Sequence, residues 1–256
     1  MTQRELSIAF QTDKTPGEYA ALAELADAQG FDTITVYNDA PNHPAYAALI
    51  LMAPHIKRAR IGPATVQPAR IAPIDIAAQA ALLELLAPGR TYIGISRGAW
   101  LEEHGIIPEP KPVTAMREAV NIIRYLLGNQ TGGVTGSRYH LAEHVRTPYP
   151  LPPNTEKIPI LIGTWGSLLA AVAGEVADEV KIGGSANPDF VPVMRERIAV
   201  GERNSNRAEG TVGIVVGAVC VVDENGDAAR ALARREVALY LPVVARLDST
   251  LHVEPE

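Results

Sequence analysis

Cysteine is almost absent: Cys220 is the one thiol in 256 residues. A disulfide framework within the chain is excluded, and the composition fits a reducing compartment. Basic blocks are missing too. The 23 Lys and Arg against 29 Asp and Glu give a net charge of −6, which argues against general nucleic-acid binding. No run of about 18 uninterrupted apolar residues occurs, so no membrane span is expected. The opening MTQRELSIAF lacks the basic, apolar and small-residue succession of a secretory leader, and a cytoplasmic location is the expectation. The histidines at 43, 55, 104, 140, 144 and 252 have no metal-ligand spacing, so no metal site is expected. Internal repeats and dividing linkers are also lacking. What remains is 47% hydrophobic and 20% charged, the balance of a globular protein with a sizeable core.

The stretch 60–100 organises the rest. It reads as a strand over 59–64, a loop carrying Pro63, Pro68 and Pro73, a helix over 74–86, and a second strand over 91–95. Ile74, Ala77, Ala78, Ala81, Leu82 and Leu85 recur at helical spacing and predict one buried stripe. Pro88-Gly89 ends the helix, and the second strand opens into Ser96-Arg97-Gly98. Such a βαβ unit implies a parallel sheet with a right-handed crossover.

The same alternation runs through the chain. Strands are predicted over 6–10, 33–37, 158–162, 179–182 and 211–222. Helices are predicted over 18–29, 44–56, 114–127 (capped by Thr114), 167–177, within 187–204, and from about 226 to 240. Residues 128–157 form an irregular excursion with a short strand pair. Seven βα units without a Gly-x-Gly-x-x-Gly after the first strand favour a TIM (βα)8-type barrel, in one domain over 1–256, lacking its last βα unit. Residues 241–256 are expected to be irregular or swapped onto a neighbour, because Pro242 and Pro255 interrupt them and Asp248-Ser249-Thr250 breaks any apolar alternation.

Functional groups of a barrel sit at the C-terminal strand ends. Those ends carry Gln11, Asn38-Asp39, Ala64-Thr65-Val66-Gln67, Ser96-Arg97, Gly163-Thr164-Trp165 and Gly183-Gly184. Gly94-Ile95-Ser96-Arg97-Gly98 contains G-x-S-x-G, but a nucleophile elbow also needs a later histidine and acid, and His104 is too near in sequence. Arg97 is more informative, since a guanidinium at a strand end can grip a phosphate or carboxylate with two bonds. Its competing reading is a weak surface ion pair.

Gly62-Pro63-Ala64-Thr65-Val66-Gln67-Pro68, followed by Ala72-Pro73, resembles the third strand of the luciferase-like flavin-dependent oxidoreductases. That superfamily includes bacterial luciferase and the deazaflavin F420-dependent methylenetetrahydromethanopterin reductases. The resemblance continues through residues 85–94, Gly105-Ile106, Lys111-Pro112, Arg117-Glu118-Ala119, Ile158-Pro159-Ile160 and residues 174–178. It implies an oxidoreductase or monooxygenase holding F420 or FMN at the C-terminal face of the barrel and acting on a small organic substrate. It also implies a cis peptide at Ala64-Thr65, a cofactor-phosphate contact from Ser96-Arg97, and backbone contact with the cofactor tail from Gly163, Thr164, Trp165, Gly166 and Gly183. Gln11, Asn38 and Asp39 take the catalytic positions as polar contacts to ring or substrate. Two positions depart from the family: its second strand often ends in Asp-His or a histidine pair, and the first-strand glutamate of the reductases matches Ala9. These departures support an alternative, a flavin-binding relative without turnover. Pairing through first-half helices, as the family does, predicts a homodimer.

Overall fold

The computed structural model describes residues 4–251. The described chain divides into two compact units, Met1–Leu161 and Ile162–Glu256.

In the first unit, β1 (Ser7–Phe10), β2 (Thr33–Val36) and β3 (Arg60–Pro63) form a parallel sheet in that order, in the register Ser7↔Thr33↔Arg60. The connections are α1 (Pro16–Ala28) and α2 (Ala45–Met52). Thr15 and Glu18 cap α1 reciprocally, and Asp27 near its end accepts the backbone N–H groups of Lys57, Arg58 and Ala59 at the entry to β3. α3 (Pro73–Leu86) leads to β4 (Ile93–Ser96), joined to the β3 region by parallel bridges Ile61↔Thr91 and Val66↔Ile95. The Tyr92 ring lies over Gly62, where a Cβ would stand 2.4 Å from the Tyr92 carbonyl, and its hydroxyl donates to Thr35 Oγ1 at 2.6 Å and Gly62 O at 2.9 Å.

Two expectations need correcting here. The buried stripe of α3 is Ile76, Ala77, Ala80, Ala81 and Leu83, whereas Ile74, Leu82 and Leu85 are 41%, 46% and 52% exposed. The helix is apolar on most sides, so periodicity marks two stripes and cannot choose between them. α4 (Pro112–Leu127) begins at Pro112 with Lys111 before it, leaving Thr114 inside the first turn rather than at the cap. Proline at the first helical position is pre-set for the helix and has no N–H to satisfy.

The excursion after α4 contains the expected strand pair, β5 (Val134–Thr135) antiparallel to β6 (His140–Leu141). Glu118 on α4 pins it by accepting the backbone N–H groups of Ser137, Arg138 and Tyr139 at 2.7, 2.8 and 2.9 Å. Partial burial pushes the Glu118 pKa up, but these bonds together outweigh it and hold the carboxyl at about 2. A carboxylate with a depressed folded pKa stabilises above its unfolded value and loses that contribution as pH falls through the folded one. Acidification from about pH 5 to about pH 2 should therefore release the hairpin. The readout is faster amide exchange at residues 137–139 ahead of global unfolding, reproduced at neutral pH by Glu118→Gln. Equal protection across that range would refute the pin.

The chain passes into the second unit along β7 (Ile160–Gly163). There α5 (Ser167–Val176) is followed by β8 (Glu179–Gly183), α6 (Phe190–Asn204), β9 (Gly213–Gly217) and α7 (Gly226–Leu247). β8 and β9 are parallel from Glu179↔Gly213 to Gly183↔Gly217. The β-branched run over 211–222 predicted a longer strand, but the ladder stops where β8 stops, and Val222 beyond it is 96% exposed. α5 and α6 meet backbone to backbone. A Cβ on Gly174 would lie 2.2 Å from Ile198 O, and one on Gly201 would lie 1.7 Å from Ala171 O. Arg207 donates to the carbonyls of Gly174 and Ala177 at the end of α5, and buried Glu202 accepts from the backbone of Gly210 and Val212.

The expectation that 241–251 is irregular is corrected. α7 continues through Leu247 with Pro242 inside it, and Asn187 Nδ2 donates to Asp248 Oδ2 and Thr250 Oγ1, both at 2.9 Å. Asp248 is buried, so this end is held in the unit rather than loose. Residues 252–256 lie outside the described ones. Among the described residues there are seven strand–helix pairs and no strand after α7. None of the described helices is long and apolar enough to cross a membrane.

Candidate functional site

The strand exits of the first unit gather most of the polar residues singled out in the sequence. Gln11 follows β1 and donates from Nε2 to Asp39 Oδ2 at 3.2 Å, joining the β1 and β2 exits. Both side chains are half-buried. The loop after β2 folds back: His43 N donates to Thr12 O at 2.9 Å, and the Tyr19 hydroxyl meets His43 Nδ1 at 3.2 Å.

Asn38 is different. It is buried, its Oδ1 accepts from Ala45 N at the start of α2 (3.0 Å), and its Nδ2 donates to Gln67 Oε1 (3.1 Å). Both ends of its amide are engaged with the protein.

The Ala64-Thr65 peptide at the β3 exit is cis, as expected. Beyond it the chain rejoins β4, with Val66 N donating to Gly94 O and Ser96 N to Val66 O. The Thr65 hydroxyl donates to the Ser96 hydroxyl. A Cβ on Gly94 would lie 2.0 Å from Pro63 O, so this close approach requires glycine. Arg97 follows, exposed, with no hydrogen bond or ion pair to another described residue. The guanidinium is thus available to an anion. Gly98 turns the chain at φ +92°.

In the second unit, Trp165 joins the β7 and β8 exits by donating from Nε1 to Gly183 O at 3.0 Å. Its ring is 4.9 Å from that of Phe190, and Arg197 donates to the Trp165 carbonyl at 2.5 Å. Thr164 Oγ1 accepts from Gly166 N at 3.1 Å. Gly163 is half-buried, while Gly166 and Gly183 are exposed and leave backbone open to a ligand.

Three residues went unremarked or under-read in the sequence. Gln67 and Arg70 link the first-unit exits, and Lys181 sits in β8 between buried Val180 and Ile182, where burial pulls its ammonium pKa down. A charged residue breaking an apolar strand was the available signal for Lys181. Among the described residues no group of three or more metal-ligating side chains occurs.

Comparison with known proteins gives a consistent result. The family model for luciferase-like monooxygenases matches residues 2–253. A 5,10-methylenetetrahydromethanopterin reductase of Archaeoglobus fulgidus is 30% identical over 241 residues, covering 93% of this chain and 70% of that protein. An F420-dependent glucose-6-phosphate dehydrogenase of Kineococcus radiotolerans is 28% identical over 255 residues, covering 93% of this chain and 73% of that protein. Among solved structures, the coenzyme F420-dependent tetrahydromethanopterin reductase of Methanopyrus kandleri superposes with a TM-score of 0.81 at 21% identity, covering 94% of this chain and 75% of that one.

Proposed function

The chain belongs to the luciferase-like monooxygenase family, and we infer that it is an oxidoreductase working with reduced F420 on a small organic substrate. The observation that carries the choice of cofactor is the 30% identity to a methylenetetrahydromethanopterin reductase over 93% of the chain. The F420-dependent dehydrogenase relative points the same way. FMN is the second reading, favoured by Arg97, whose exposed guanidinium stands where the family resemblance puts a phosphate contact.

The donor set fits either group. Arg97 offers charge to an anionic tail, and Ser96 and Thr65 offer hydroxyls. F420, when bound, supplies hydride chemistry; the protein supplies position and field. Gln11 and Asp39 are the polar pair open to ring or substrate, whereas Asn38, with its amide consumed internally, orients the β2 exit.

Spectral titration with F420 and with FMN tests the reading. Wild type should bind F420, and Arg97→Ala should weaken that affinity by about 1.5–3 kcal/mol, roughly ten- to hundredfold. Binding of FMN alone would transfer the function to the second reading. Binding of neither would refute both, and binding without turnover of the reduced form would favour the non-catalytic relative.

The exposed stripe Ile74, Ala78, Leu82 and Leu85 on α3, with Leu51 on α2 41% exposed, is the face proposed for a homodimer. Light scattering should give a two-chain mass at micromolar concentration, and Leu82→Glu with Leu85→Glu should halve it. A one-chain mass for the wild type defeats the proposal.

A further inference from the structure

We propose that Gln67 is the positioning residue of the first-unit exits, holding the ends of β2, β3 and β4 in the arrangement that receives the cofactor. This rests on the oxidoreductase reading above. Gln67 is 7% exposed, and its amide is bonded at both ends. Oε1 accepts from Asn38 Nδ2 at 3.1 Å and from an Arg70 guanidinium nitrogen at 3.0 Å. Nε2 donates to Thr65 O at 2.7 Å. The same Arg70 nitrogen reaches Asn38 O at 2.5 Å, closing a ring of bonds around the β2 exit. The stem of Gln67 lies under the turn after Arg97: a Cβ on Gly98 would be 2.8 Å from Gln67 Cγ. One side chain thus touches the residue carrying the β2 exit, the peptide next to the Thr65 hydroxyl, and the turn that presents Arg97.

The network also fixes which way the amide points. Two donors face Oε1 and a carbonyl faces Nε2, so the flipped amide would set N–H against N–H and oxygen against oxygen. Glutamate has the same shape but, ionised, sets an oxygen against the Thr65 carbonyl. Protonated, it can donate there and restore all three bonds. Methionine fills the volume and makes none of them. The charged group in contact with position 67 is Arg70, on its own loop; Asn38, Thr65 and Gly98 from the packed exits are neutral. Asp39 and Arg97 each stand one residue along from these neutral groups.

The test uses the full chain, with F420 and FMN as probes and amide exchange as a measurement needing neither. Gln67→Met should weaken cofactor affinity about tenfold, the factor for a loss of 1.4 kcal/mol. It should also speed exchange at Ala45 and Ser96, whose N–H groups are bonded at the β2 and β4 exits. Gln67→Glu should bind weakly at about pH 8 and recover toward the wild-type value only at about pH 4 and below, as its carboxyl protonates. A role in packing alone predicts no such recovery, because Glu and Gln fill the same space. Wild-type affinity in Gln67→Glu at both pH values, or unchanged exchange at Ala45 and Ser96 in Gln67→Met, would overturn the proposal. A wild type that binds neither cofactor would sink the oxidoreductase reading, and the exchange arm would still decide whether Gln67 holds the exits.

Discussion

Gly201→Ala is expected to cost roughly 3 kcal/mol or more, at or above the upper end of typical overpacking penalties, and to lower the melting temperature by roughly 10 °C. The new Cβ would stand 1.7 Å from Ala171 O, 2.7 Å from Ala171 C and 2.9 Å from Glu175 N, where contacts below 3.0 Å force something to shift. All three atoms are backbone of α5, so no side chain can swing aside. The two helices would have to separate. That motion also strains the Arg207 bonds to the end of α5 and the Glu202 bonds that tie α6 to the entry of β9. Gly174→Ala meets the same obstacle from the other side, 2.2 Å from Ile198 O. Gly17→Ala in α1, where the added Cβ meets nothing within 4 Å, is the control and should be neutral or slightly stabilising. Calorimetry or circular dichroism gives the answer. A Gly201→Ala protein melting within a degree of wild type would mean that the helices are not in backbone contact.

This contact was only half legible in the sequence. The small residues of α5 stand out, and proteins use such residues where backbones approach, but the partner glycine sits in α6 within a charge-rich stretch, 195–203, with no run of small residues around it. α3 shows the same difficulty from the opposite direction: too many apolar residues, hence two candidate faces. The order of strands and helices was legible because it depends on period and punctuation, which are local. The strand beyond Gly217 was over-read because β propensity says nothing about whether a partner strand continues alongside. Among the site residues, the strand-end position of Arg97 followed from the strand pattern, and the cis bond at Ala64-Thr65 from the family resemblance. The role of Gln67 did not, since it depends on Asn38, 29 positions away, and on a turn 31 positions away in the chain. Asn38 reads as a free polar group in a sequence; only the fold shows both ends of its amide taken.

Gly94→Ala should remove both stability and cofactor binding, and by more than any loss of a single side chain at the exits. The added methyl would sit 2.0 Å from Pro63 O and 3.1 Å from Pro63 C, inside the β3 backbone one residue before Ala64. β3 and β4 must part there. Gly94 O would lose the Val66 N–H and Val66 O the Ser96 N–H, and the Thr65 hydroxyl would leave that of Ser96. The stability loss is again set at roughly 3 kcal/mol by overpacking against backbone. The affinity loss should exceed that of Arg97→Ala, because Gly94→Ala displaces Arg97 together with Thr65 and Ser96, and a displaced group binds no better than a deleted one. The two effects are separated by titrating cofactor well below the melting transition of the variant, where the protein is folded. A folded Gly94→Ala protein that binds F420 as tightly as wild type would show that the β3–β4 exit does not form the cofactor site.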